Sequence, residues 1–139
     1  SALKWLFFLS NTVHPTLRML FYPDKYAPLE TASVIQSSMQ NHLLAHLAIL
    51  NQELSDRDWF CADAPSALDM YLCTLIRWMQ LYPIAGTDWF SLDQFPNLHR
   101  LAKTLERRRS VLDAAQSEGL GACVFSNPTY ATPPIGSAT

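Results

Sequence analysis

His14 is the residue best suited to chemistry in this chain. It sits one position before Pro15, on the helical face that also carries Phe7, Arg18 and Phe21. An imidazole titrates near neutral pH, so at such a place it can hydrogen-bond a reacting group or carry charge, or simply satisfy carbonyls that the proline leaves free. Trp78, with Tyr71, Thr74 and Tyr82 on nearby turns, makes an aromatic face with a few polar tips. Such a face suits a pocket for small apolar molecules, or ordinary core packing. His42 and His46 are four apart, a spacing that can hold a metal, but no third ligand or intervening Glu accompanies them, so no metal is expected. Asp69 follows Ser66 by three, and its carboxylate reads as a helix cap rather than a general base. Arg107, Arg108 and Arg109 fall where a helix ends, and there cations oppose the dipole. Cys61, Cys73 and Cys123 are odd in number and widely spaced, which makes neither a disulfide framework nor a zinc set.

These side chains need helices to position them, and the apolar spacing supplies helices throughout. Leu3, Leu6, Ser10, Val13, Leu17 and Leu20 recur at helical intervals, with Trp5, Phe8 and Leu9 on a second stripe. The first stripe is expected to face the core, Trp5 and Phe8 to project elsewhere, and Pro15 to kink the helix near His14. A second helix is expected from about Leu29 to Leu54. A third opens at the Ser66-Ala67-Leu68-Asp69 capping box, with no charge from Met70 through Ile76. A fourth begins at Pro96 and runs to the arginine triplet, and a fifth spans Ser110 to about Glu118 and stops at Gly119. No strand is expected. The fold class is therefore all-α, an irregular bundle of about five helices over residues 1–120, with an irregular tail over 121–139.

The 139 residues suffice for one domain; 49% are hydrophobic and only 16% charged, so part of the surface is expected to be covered by another domain or subunit. A formal net charge of -2 argues against nucleic-acid binding and against an anionic membrane surface. The longest apolar run, Trp5 to Leu9, is too short to span a bilayer, and no signal peptide is read. A cytoplasmic home is expected, and the opening at Ser1 reads as a cut piece of something longer.

Taken together the motifs resemble the C-terminal helical domain of glutathione S-transferases, above all the bacterial beta class. The resemblance rests on Trp5-Leu6, Val13-His14-Pro15, Leu20-Phe21, Pro23-Asp24 and Trp59-Phe60-Cys61. It continues through Ser66-Ala67-Leu68-Asp69, Leu75-Ile76-Arg77-Trp78, Phe95-Pro96-Asn97-Leu98, Glu106-Arg107-Arg108 and Ser117-Glu118-Gly119-Leu120. Two positions depart from it: Ser110 stands where the family usually has proline, and Phe7 where beta-class relatives often carry asparagine. The resemblance implies that glutathione is a co-substrate bound mainly by a thioredoxin-like N-terminal domain absent from this chain. It implies a supporting catalytic role for His14, and a wall for a small hydrophobic electrophile that includes Phe7, Arg18, Tyr71 and Trp78. It further implies a homodimer. On this reading the chain alone is inactive as a transferase. The alternative is a non-catalytic interaction module of the same fold, and a third reading is a binding protein for small hydrophobic ligands.

Overall fold

The computed structural model describes residues 1–61 and 63–132, and among them every regular element is helical, as the apolar spacing predicts. Ala2–Phe8 (α1) continues through a π turn, Leu9–Val13, into His14–Phe21 (α2), forming one rod. Ala32–Glu53 (α3) follows a short 3-10 turn, and Ala67–Leu81 (α4), Pro96–Glu106 (α5) and Arg109–Ser117 (α6) complete the bundle. α2 lies along α3, α5 packs on both α3 and α4, and α6 packs on α5. No helix among the described residues is long and apolar enough to cross a membrane.

The first rod corrects the expected core face. Its buried apolar residues are Trp5, Leu9, Val13, Leu17 and Leu20, whereas Leu3 is 63% and Leu6 40% exposed. Steps of four dominate this stripe, and in a pure α-helix three such steps would carry it roughly 120° round the cylinder. The π turn absorbs that drift: the His14 N–H reaches back five residues to the Leu9 carbonyl, which keeps the stripe on one side. Pro15, with no N–H of its own, stands just past this widened turn, and the Thr16 hydroxyl donates to the Thr12 carbonyl at 2.7 Å. The proline's effect is thus spread over the preceding turn, and His14 itself stays helical at φ -63, ψ -45. Trp5 packs its ring against Phe60, 5.5 Å between centroids, and Phe8 lies half-buried edge-on to Trp5.

Two caps fix the helices that matter most. At the start of α4 the Ser66 hydroxyl accepts from the Leu68 N–H at 3.2 Å, and the Asp69 carboxylate accepts from the Ser66 N–H at 2.7 Å. Asp69 also accepts from the Ser66 hydroxyl and, through its other oxygen, from the Phe60 N–H at 3.1 Å, which ties the Trp59-Phe60 loop to the helix. At the start of α5, Phe95 has no side chain able to cap. Asn51 on α3 does so instead, its amide oxygen accepting from the Asn97 and Leu98 N–H groups at 2.9 and 3.2 Å. α6 ends in a Schellman arrangement: Gly119 is at φ +65 and the Leu120 N–H returns to the Ala115 carbonyl at 2.8 Å. The arginine triplet does not fill the last turn of one helix as expected. Arg107 and Arg108 occupy the break between α5 and α6, and Arg109 opens α6, paired with Asp113 at 3.0 Å.

Residues 121–132 form no helix, yet Val124 and Phe125 are buried in the core. The remaining seven residues of the expected tail, 133–139, lie outside the described part of the chain.

Candidate functional site

α2 and α4 bring His14, Tyr71 and Trp78 together. The widened turn sets the His14 ring against α4, where Tyr71 and Trp78, seven residues apart, share one face. His14 Nδ1 lies 2.6 Å from the Tyr71 hydroxyl, and its ring centroid is 5.7 Å from those of both Tyr71 and Trp78. Burial, with the Arg18 guanidinium nearby, holds the His14 imidazole below its ordinary pKa, and burial pushes the Tyr71 phenol up. Both shifts favour the uncharged form of each group. Arg18 is exposed and lies over the Tyr22 ring, its guanidinium carbon 5.4 Å from the centroid. Phe7 is 56% exposed and pairs with no aromatic ring among the described residues.

Trp78 has a second role as one wall of a mostly apolar cleft of about 1140 Å³ between α4, α6 and the segment that follows them. Met70, Thr74 and Tyr82 continue that wall along α4. Other candidate groups are placed away from chemistry. Asp69 is fully buried with its oxygens occupied by the cap. His42 and His46 face each other at 6.3 Å with Phe8 edge-on to His46, and among the described residues no three metal-ligating side chains cluster. The Cys73 thiol is raised well above its usual pKa, first by burial and then by the Asp69 and Glu106 carboxylates, so it is no nucleophile.

Sequence reasoning missed Arg77 and Glu106, both buried and both bonded to residues 124–129. Both stand within motifs that carry the family resemblance, but nothing in residue type or spacing gives them a partner.

Residues 33–103, just over half the chain, match the family described as Glutathione S-transferase, C-terminal domain. The chain belongs to that family. It is similar to glutathione S-transferase GstA of Escherichia coli, with 25% identity over 119 residues covering 86% of this chain and 53% of the relative. It is also similar to glutathione S-transferase GST-4.5 of Xanthomonas campestris pv. campestris, with 27% identity over 120 residues covering 84% and 55% respectively. The chain thus spans about half the length of the curated relatives it matches. No solved structure matches it significantly.

The lowered pKa of His14 gives this glutathione transferase domain a pH signature. The unfolded chain binds a proton at the ordinary histidine pKa while the folded one does not, so stability is full above that value and is lost as pH falls through the folded pKa. His46, lowered by burial and by His42, acts in the same direction. The urea midpoint is expected to fall between about pH 7.5 and pH 5.5, and a His14→Gln, His46→Gln double variant to flatten that fall. An equal slope in the double variant would show that other groups carry the dependence.

Proposed function

We propose that this domain is the electrophile-binding half of a glutathione transferase that joins the glutathione thiolate to small hydrophobic electrophiles. Glutathione would be held by a thioredoxin-like domain, with a second copy completing a homodimer. The observation that carries the reading is the convergence of His14, Tyr71 and Trp78 from two helices onto one face. In the reaction the thiolate sulfur bonds to an electrophilic carbon, and the leaving group departs with its electron pair. This half then contributes position more than reactivity. When the Tyr71 hydroxyl donates to Nδ1, the single proton of the neutral His14 ring sits on Nε2, at the far side of the ring, free to donate to an anionic sulfur or leaving group. Trp78 offers a flat surface on which an aromatic electrophile can stack.

The test is a fluorescence titration of the chain with chlorodinitrobenzene, beside a conjugation assay with glutathione. Saturable quenching that is lost in Trp78→Phe is expected, together with no turnover that saturates with glutathione. Quenching unchanged in Trp78→Phe would remove the electrophile wall from this place, and saturable turnover by the chain alone would overturn the division of the site between two domains.

A further inference from the structure

Four arginines of this domain have their donors taken up. Arg57 pairs with Glu53 at 3.1 Å and Arg109 with Asp113 at 3.0 Å. Arg100 donates to the Leu54 and Arg57 carbonyls at 2.7 and 3.0 Å, and the buried Arg77 to the Val124 and Thr129 carbonyls at 3.0 and 2.9 Å. Arg18 and Lys25 differ: among the described residues neither has a carboxylate within ion-pair distance, not even Asp24, which lies between them in sequence. Both nevertheless converge on one ring. The Arg18 guanidinium carbon is 5.4 Å and the Lys25 Nζ 4.8 Å from the centroid of Tyr22.

An aromatic face attracts each cation, but two like charges drawn to the same ring repel one another, and an anion placed beside them turns that cost into a gain. Arg18 is exposed, and its planar fork of N–H groups matches the two oxygens of a carboxylate. It also stands one turn beyond His14 on α2, close enough that its charge, after burial, helps to hold the imidazole pKa down. Phe21 lies edge-on to both Tyr22 and Tyr82, 6.4 Å between centroids in each case, and so joins this corner to the end of α4. The cations are thus continuous with the face that holds His14, Tyr71 and Trp78, about one helical turn, or 5 Å, farther along α2. A single ring with an acid group on one edge and a reactive carbon at the other spans that interval.

We propose that Arg18, supported by Lys25, is a recognition site for a carboxylate on a small ligand, so that the molecule taken beside His14 is an acid with a ring body rather than a neutral hydrocarbon. The proposal deepens the transferase reading and rests on it only for calling that ligand the electrophile.

The test uses a pair of probes alike in ring and different in charge, 4-chloro-3-nitrobenzoate and 4-chloro-3-nitrobenzamide. Each is titrated into the labelled chain, with the Arg18 Nε–H and the Trp78 indole N–H followed by NMR. At low salt the acid is expected to bind about fivefold more tightly than the amide, the gain typical of an exposed charge pair, and to lose that advantage in about 0.5 M NaCl. Arg18→Gln should bring the acid down to the level of the amide. Arg18→Lys, a point charge without the fork, should keep part of the preference, and Lys25→Gln should lower it about twofold. Equal affinity for acid and amide in the unmodified chain, or a preference that survives both Arg18→Gln and Lys25→Gln, would overturn the proposal. Acetate shifting the Arg18 Nε–H at the same concentrations as the acid would reduce the site to a general counter-ion position and overturn it too. Glutathione, which carries carboxylates of its own, should leave that signal in place; a shift matching the acid's would assign the site to glutathione instead. An acid preference that depends on Arg18 while neither probe touches Trp78 would support the carboxylate site and sink the transferase reading. Contact of both probes with Trp78 and no preference for the acid would do the reverse, so the two fail separately.

Discussion

Replacing Asp69 with alanine is expected to lower stability by about 3 to 5 kcal/mol, the range for breaking a buried, charge-bearing hydrogen-bond cluster. The carboxylate is fully buried and accepts from the Ser66 N–H, the Ser66 hydroxyl and the Phe60 N–H. Alanine strips the acceptor from the buried Phe60 N–H and from the part-buried Ser66 N–H and hydroxyl, and frees the loop that presents Phe60 to Trp5. Asp69→Asn keeps one acceptor and the side-chain volume, so it should cost less. Thermal melts decide the matter: at about 3 to 5 °C per kcal/mol for a domain of this size, the alanine variant should melt at least about 10 °C lower. An unchanged melting temperature would show that the box is dispensable and that α4 is held by packing alone.

The second large effect is at Trp5. Trp5→Ala should cost about 3 to 5 kcal/mol, because it empties a ring-sized volume between α1, the Phe60 loop and Phe8. Leu3→Ser and Phe7→Ser, on residues 63% and 56% exposed, should each change stability by less than about 0.5 kcal/mol. Chemical denaturation of the three variants separates the outcomes. Equal stability for Trp5→Ala and Phe7→Ser would mean that the rod is rotated from the position described.

The same rod shows what could and could not be read from the order of residues. Its helical character was plain, but its phase was not. A stripe at 3, 6, 10 and 13 fits a pure α-helix, and only the π turn makes 5, 9, 13 and 17 the buried set. The capping box was legible because Ser66 and Asp69 are three apart, a spacing at which helix geometry alone dictates the contact. Asn51 capping α5 was not, since its partners lie 46 and 47 residues away. Arg77 and Glu106 reach 47 and 19 residues to a segment with little apolar periodicity, so the sequence offered no reason to give 121–132 a fixed place. His14, Tyr71 and Trp78 were each recognisable from residue type and from the family's motifs. Their meeting across 57 residues depends on how the first rod passes α4.

On the proposed division of the site, this domain holds the electrophile and glutathione is held elsewhere. Two-dimensional NMR of the labelled chain, titrated separately with chlorodinitrobenzene and with glutathione, tests it most directly. The predicted result is that the electrophile shifts the Trp78 indole N–H and the His14 ring signals, while glutathione alone shifts neither. Glutathione-dependent shifts at His14 and Trp78, with the electrophile leaving both untouched, would contradict it.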